Sequence, residues 1–294
     1  MDWKSSRIDI LLEQALIEDK AAGDTTTNLT IDPELRATAS VLARQEMVIC
    51  GLGAIPRFLD IFARLDRRAP AQTRFEVVSH PEIFDGVRVH PGQVMAVIRH
   101  NAKVLLSCER VMLNLMQHLS GIATLTRNYV DAVHGTQARV LDTRKTVPGL
   151  RTLEKYAVMC GGGTNHRLDL ASGILIKNNH ISLGGGIPVV LTRALEKRQA
   201  GQRVQIEVRS TKELEQALEF GAEAILLDNM TPAQVRDAVD RIKEEKRWIP
   251  TEASGGIVLE NIRSYAEAGV DFISVGALTH SAKAADISMR IDAE

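Results

Sequence analysis

Six strand-like runs in the second half of the chain each end in residues able to do chemistry. Arg139–Leu141 is followed by Asp142-Thr143-Arg144-Lys145, and Gly173–Ile176 by Lys177. Val204–Val208 carries Glu207 near its end, and Ala224–Leu227 closes on Asp228. Trp248–Thr251 leads into Glu252-Ala253-Ser254-Gly255-Gly256, and Phe272–Val275 into Gly276. The cations come first: Arg144, Lys145, Arg167 and Lys177, with His166 beside Arg167. The whole chain has 36 Lys+Arg against 37 Asp+Glu, a net charge of −1, so cations that converge on one place call for a strongly anionic ligand. The planar fork of Arg suits carboxylates, and the point charge of Lys suits phosphate oxygens. Solvated surface charge is the ordinary fate of such residues. It fits Arg241, Lys243 and Lys246 along a polar helix better than Lys177, which directly follows Ile174-Leu175-Ile176. A histidine such as His166, taken alone, is more often a hydrogen-bonded structural group than a catalyst.

The carboxylates follow. In Val204-Gln205-Ile206-Glu207-Val208, alternation puts Glu207 on the face opposite the apolar residues. Asp228 ends the next run. Two acids on neighbouring strands could hold Mg²⁺ through waters, accept hydrogen bonds from ribose hydroxyls, act as an acid/base pair, or simply pair with the cations. The glycine loops complete the set. Ser254-Gly255-Gly256 precedes a helix expected near Leu259, and Gly276-Ala277-Leu278-Thr279 precedes one expected near Ser281. Either loop alone could be a tight strand-to-helix turn. Two adjacent ones favour a phosphate cradle, because glycine lets backbone N–H groups approach an anion closely.

These residues need a scaffold that gathers strand ends. The six runs alternate with amphipathic stretches, notably Thr211–Phe220, Pro232–Lys246 and Leu259–Ala268, which implies parallel strands with right-handed crossovers. Polar residues at successive strand ends favour an α/β barrel, whose sites lie at that face, over an open doubly wound sheet. A closed barrel needs one or two strands more, and the Cys160–Leu170 region is a source of one. The first half reads as α+β: helices at Ile8–Glu18 and Ile55–Phe62, and strands at Ala37–Ala43, Phe75–Val78, Val87–Val89 and Val94–Ile98. A long apolar helical pattern from Ala102 to about Leu119 bridges the halves.

Composition narrows the classes further. With 45% hydrophobic and 25% charged residues the chain is an ordinary globular protein, not a disordered one. The balanced charge argues against a nucleic-acid binder. No stretch approaches ~20 uninterrupted apolar residues and no signal-peptide core opens the chain, so a cytoplasmic protein with no membrane partner is expected. Cys50, Cys108 and Cys160 are too scattered for a disulfide framework or a zinc site. Motifs for serine hydrolases, zinc proteases and P-loop proteins are absent, and Gly161-Gly162-Gly163 and Gly184-Gly185-Gly186 read as loop glycines.

A longer pattern now emerges. Asp142–Arg151, Glu154–Val158, Gly161–Arg167 and Leu175–His180 together resemble the quinolinate phosphoribosyltransferase family. The likeness continues through Ile206-Glu207-Val208, Leu226–Asn229, Glu252–Gly256 and Ser274–Thr279. Upstream, Glu18-Asp19, Gly23–Thr26, Glu109-Arg110 and Leu119–Thr124 also match, so the resemblance spans nearly the whole chain.

The resemblance implies transfer of phosphoribosyl from phosphoribosyl pyrophosphate (PRPP) to quinolinate with decarboxylation. The products are nicotinate mononucleotide, pyrophosphate and CO₂, a step of NAD biosynthesis that uses Mg²⁺. It implies an N-terminal α+β sandwich domain, 1–117, and an incomplete α/β (TIM-like) barrel of about seven strands, 118–279, with the segment 280–294 packing back on the first domain. It implies a homodimer or higher oligomer in which Arg110 reaches the quinolinate pocket of the neighbouring subunit. Arg144, His166, Arg167 and Lys177 would bind the carboxylates. Lys145, with Lys177, would meet PRPP, and Glu207 and Asp228 the ribose and the metal. Ser254, Gly255, Gly256, Gly276 and His280 would cradle the 5′-phosphate, with Arg151 and Lys155 as weaker anion contacts. Asn178 and Arg209 stand where the family often has acids, which makes the mouth more positive. A paralogous phosphoribosyltransferase, a molybdenum-transport-associated relative and a non-enzymatic phosphate-binding barrel are the rival readings. The set Arg110, Arg144, His166, Arg167 and Lys177 favours quinolinate.

Overall fold

The computed structural model describes residues 1–66 and 74–294. The chain forms two units, one of 1–125, 159–161 and 282–294, the other of 126–158 and 162–281. The first unit contains α1 (Ser6–Glu18), α2 (Thr25–Thr30), β1 (Arg36–Ala43), β2 (Met47–Val48), α3 (Ala54–Leu65), β3 (Glu76–Val78), β4 (Arg88–Val89) and β5 (Val94–Asn101). A 31-residue helix, α4 (Ala102–Ala132), then runs from this unit into the next. It continues well past Leu119, so the division falls within an unbroken helix instead of at a linker.

Helical spacing buries Ile8, Leu12 and Leu16 of α1 and Ile55, Phe58, Leu59 and Phe62 of α3. Alternation buries Ala37, Ala39, Val41 and Ala43 of β1. Two of the segments that carry the resemblance have structural work here. Asp24 caps α2 by accepting the Thr27 N–H at 3.1 Å, and its other oxygen accepts the Ser107 hydroxyl at 3.2 Å. In Leu119–Thr124, Ser120 Oγ accepts the Cys50 N–H at 3.0 Å, and Gly121 lies so close to the chain that a Cβ would sit 2.1 Å from Lys283 O.

The second unit runs β6 (Arg139–Leu141), α5 (Arg151–Cys160), β7 (Ile174–Ile176), α6 (Asn178–Gly184), α7 (Ile187–Lys197), β8 (Val204–Val208), α8 (Thr211–Glu219), β9 (Ala224–Asp228), α9 (Pro232–Lys243), β10 (Thr251–Ser254), α10 (Ile262–Glu267), β11 (Phe272–Ser274) and α11 (Ala277–His280). Its strands are parallel, in the order β6-β11-β10-β9-β8-β7. The last strand therefore lies beside the first, as in a barrel. Leu141 makes one further parallel bridge, to Thr164. Thr164 thus holds the place of a seventh strand on the free edge of β6. The triple glycine 161–163 just before it, with Gly162 at φ +88°, disfavours a longer extended run.

Several boundaries differ from expectation, two of them at the last two barrel strands. β10 begins at Thr251 instead of Trp248, because Pro250 has no N–H for the ladder. The helix after β11 is Ala277–His280, with Gly276 as its N-cap, and it ends where one was expected to begin, at Ser281. The final strand, β12 (Ile287–Ala293), pairs antiparallel with β1 and completes a sheet of order β12-β1-β5-β3 in the first unit.

Candidate active site

Side chains two apart on a strand share a face. That rule groups Leu175 with Lys177, Gln205 with Glu207 and Arg209, Leu226 with Asp228, Glu252 with Ser254, and Ser274 with Gly276. Members of this set, with Thr143, Arg144, His166 and Arg167, line a cavity of about 80 Å³ at the strand ends. Arg144, Arg167 and Lys177 supply positive charge to it, and Leu175 and Leu226 supply apolar surface. Burial and the charge of Arg144 both pull the Arg167 guanidinium below its ordinary value, partly offset by Asp169. Two cations side by side in a half-buried wall are arranged for an anion. Arg144 Nε is buried and has no acceptor among the described residues, whereas Arg167 Nη1 donates to Gly173 O at 3.0 Å.

The segment that carries His166 and Arg167 is held by a buried ion pair. Lys155 Nζ donates to Asp142 Oδ1, and both groups are almost fully enclosed. Lys155 also donates to His166 O at 3.1 Å, while Asp142 Oδ1 accepts the His166 N–H at 2.8 Å. The Asn165 amide nitrogen reaches Asp142 Oδ2 at 2.6 Å. Burial pushes the Asp142 carboxyl up, and Lys155 and the His166 N–H offset that only in part. A buried pair of this kind adds little net stability by itself but is costly to break.

The His166 ring is held as well. Its Nδ1 accepts the Arg167 N–H at 2.6 Å, which leaves the proton on Nε2, and Nε2 faces Glu252 Oε2 at 3.3 Å. Glu252 also accepts from Gln205 at 2.7 Å and from the Ser274 hydroxyl.

Lys155 and Arg151, named as weaker anion contacts, both make contacts within the chain. Lys155 is spent on Asp142, and Arg151 donates to Thr146 Oγ1 at 3.0 Å and Leu168 O at 3.3 Å, shaping the loops.

The glycine loops interlock. Gly255 adopts φ +94°, and a Cβ there would lie 2.3 Å from Asn229 Oδ1; Asn229 itself is left-handed at φ 56° and donates its N–H to Ser254 O at 2.8 Å. A Cβ on Gly276 would crowd Lys145 Cδ at 3.0 Å and His280 Nε2 at 3.2 Å, so these three residues form one cluster. Thr279 Oγ1 donates to Lys145 O at 2.8 Å, tying the loops after β6 and β11 together. Lys145, Gly256 and His280 are exposed.

Glu207 and Asp228, expected to share Mg²⁺, have their charge already met. Arg209 donates to Glu207 Oε1 at 3.2 Å and to Asp228 Oδ2 at 3.1 Å, and Lys177 Nζ lies 3.8 Å from Glu207 Oε2. Asn229 Nδ2 also donates to Asp228, at 2.7 Å. Among the described residues no group of three or more His, Cys, Asp or Glu is disposed to hold a metal ion. Two acids facing two cations do not fit a divalent ion held by the protein itself. Arg110 belongs to the first unit, where it is exposed on α4.

The sequence reading gave no separate role to Asp142, Glu252, Ser274, Leu175 or Leu226. Alternation would have found the last four, since each lies two residues before a residue already singled out. Asp142 carried no such signal, because its partner Lys155 is 13 residues away on a helix.

Fold and site define an α/β barrel that takes anionic ligands at the C-terminal ends of its strands, joined to an α+β unit. The chain belongs to the quinolinate phosphoribosyltransferase family: the family's C-terminal domain matches residues 122–290 and its N-terminal domain residues 24–120. A Mycobacterium leprae protein named nicotinate-nucleotide pyrophosphorylase (carboxylating) is 41% identical over 279 residues, 95% of each chain. A Bacillus subtilis protein named probable nicotinate-nucleotide pyrophosphorylase (carboxylating) is 40% identical over 281 residues, 96% of this chain and 92% of the relative. The crystal structure of NadC from Streptococcus pyogenes superposes with a TM-score of 0.90 at 35% identity, covering 100% of this chain and 99% of that one.

Proposed function

We propose that this chain joins quinolinate to PRPP and releases pyrophosphate and CO₂, leaving nicotinate mononucleotide. The observation that carries this reading is the cavity in which Arg144, Arg167 and Lys177 meet Leu175 and Leu226, next to the glycine loops. A planar ring with two adjacent carboxylates matches it: the leucines take the ring, and the guanidinium groups and ammonium take the carboxylates. Gly255, Gly256 and Gly276 offer backbone N–H groups to the 5′-phosphate, with Lys145 and His280 alongside. Glu207 and Asp228 accept from the ribose hydroxyls.

The chemistry needs no covalent enzyme intermediate. The ring nitrogen attacks ribose C1 as the C1–O bond to the diphosphate breaks, and the electron pair leaves with pyrophosphate. The nitrogen is then cationic. When the adjacent carboxylate departs as CO₂, the pair from its C–C bond stays on the ring carbon, stabilised by that cation, and a proton replaces the lost carboxylate. Positioning and fixed positive charge account for the acceleration. Mg²⁺ belongs in this reading to PRPP, as the counter-ion of its diphosphate. Arg110 comes from a second copy of the chain, and the enzyme works in the cytoplasm. Among the described residues no helix is long and apolar enough to cross a membrane.

The test is turnover with PRPP, Mg²⁺ and either quinolinate or nicotinate, following CO₂ and nicotinate mononucleotide together. Equal release of both from quinolinate alone is expected. Product from nicotinate only would move the chain to the non-decarboxylating transferases, and no product from either would favour a binding role.

A further inference from the structure

Arg209 sits just past the end of β8 and beside the end of β9. In the parallel register Val208 lies opposite Leu227, which brings residue 209 level with Asp228. Its guanidinium joins two carboxylates of neighbouring strands, Nη2 to Glu207 and Nε to Asp228, at 3.2 and 3.1 Å. The two acids are not equivalent. The Glu207 side chain is 7% exposed and that of Asp228 13%, whereas that of Arg209 is 46% exposed. The arginine thus lies over the pair from the solvent side, where a ligand must arrive.

Its charge and that of Lys177 balance both acids. A divalent ion entering between the carboxylates would have to displace the guanidinium or sit beside it. Either is unfavourable, because the arginine keeps its charge at any accessible pH. A guanidinium has five N–H donors in a fixed fork, and the two acids use two of them. The rest are available on the exposed side, where a polyanion would meet a cation whose position the acids already fix.

We propose that Arg209 does in this chain what a protein-held divalent ion would do. It spaces Glu207 and Asp228 for the ribose hydroxyls and presents its remaining N–H groups to the diphosphate, so that no metal ion is bound by the two acids. The proposal rests on the reading that PRPP occupies this site. It makes Arg209 a substrate-binding residue for the diphosphate side and assigns divalent ions to the substrate alone.

Two measurements on the full chain test it. The first uses Mn²⁺ without substrate, with the free ion counted by electron paramagnetic resonance. The wild type should bind none in the micromolar range, and Arg209→Glu, which completes a three-carboxylate set, should gain one site. Binding by the wild type as tight as that of Arg209→Glu would overturn the proposal. The second is steady-state kinetics. Arg209→Ala should raise KM for PRPP about ten-fold or more, the scale of a lost charge-assisted hydrogen bond, while KM for quinolinate stays within about two-fold. Arg209→Lys should restore part of the loss. An unchanged KM for PRPP, or an equal rise for both substrates, would contradict it. If the wild type turns over neither substrate, the functional reading falls, and the Mn²⁺ count still decides the claim about Arg209.

Discussion

The two sides of the barrel mouth are built on different principles. On the side assigned above to the carboxylates, His166 and Arg167 are held by charges buried beneath them. Asp142 and Lys155 grip the backbone of His166, and Glu252 faces its ring. On the phosphate side, Lys145 and His280 are exposed, and order comes from backbone geometry at Gly255, Gly276 and Asn229 and from the Arg209 bridge. The contrast suits the two ligands. A rigid aromatic dicarboxylate rewards a preformed pocket, whereas a flexible phosphorylated sugar can adapt to loops and exposed cations. It also implies different weaknesses: the first side should fail through stability, the second through affinity.

The largest effect should come from the buried pair. Lys155→Met leaves Asp142 enclosed without its partner, and removing one member of a buried ion pair costs about 3–5 kcal/mol. Urea denaturation of the variant would read this directly. A loss near zero would mean that the pair is not what holds the carboxylate side, and the comparison would collapse.

Next come the proposed ligand contacts. Arg144→Ala and Lys177→Ala should each lower kcat/KM for quinolinate by about 10²–10³-fold or more with the fold intact, the scale of losing one charge-stabilising group in an active site. Unchanged turnover in either variant would remove that residue from its assigned role. The unfolding midpoint is the control that separates these variants from Lys155→Met.

How much of this was legible in the sequence follows from the range of the interactions. Polar residues at successive strand ends were visible because each lies next to its own apolar run. The face of Glu207 was visible because alternation is local. The β12–β1 pairing is not a local signal, since Ile287 meets Ala43 across most of the chain. Thr164 makes a single bridge within a glycine-rich stretch, too short to leave a period. Lys155 looked like an anion contact one helical turn from Arg151, but burial beside Asp142 turned it inward. Arg209 read as added positive charge at the mouth, yet it is engaged by two acids, and its effect there is local neutralisation.

On the phosphate side a smaller effect is expected from Gly255→Ala. The new methyl would meet Asn229 Oδ1 at 2.3 Å and Asn229 N at 2.9 Å, on a backbone at φ +94°. Strain at such a position costs of order 1–3 kcal/mol. The loop should yield before the barrel does, so KM for PRPP should rise more than the unfolding midpoint falls. A variant that loses stability as Lys155→Met does, with PRPP affinity intact, would show that the two sides are not separate.

The smallest effect concerns acid. Burial pushes the Glu252 carboxyl up, but the hydrogen bond from His166, with those from Ser274 and Gln205, outweighs it and leaves the group below its ordinary 4.5. The unfolded chain therefore takes up this proton at a higher pH than the folded one. The stability that Glu252 contributes is fully present above about the ordinary value and is lost as pH falls through the depressed one. Glu252→Gln removes that titration. Its stability should fall less steeply than the wild type's below about pH 4.5, whatever the offset between the two at neutral pH. Urea midpoints followed from neutral pH into that range give the comparison. Parallel curves would mean that Glu252 is not held ionised by His166, Ser274 and Gln205.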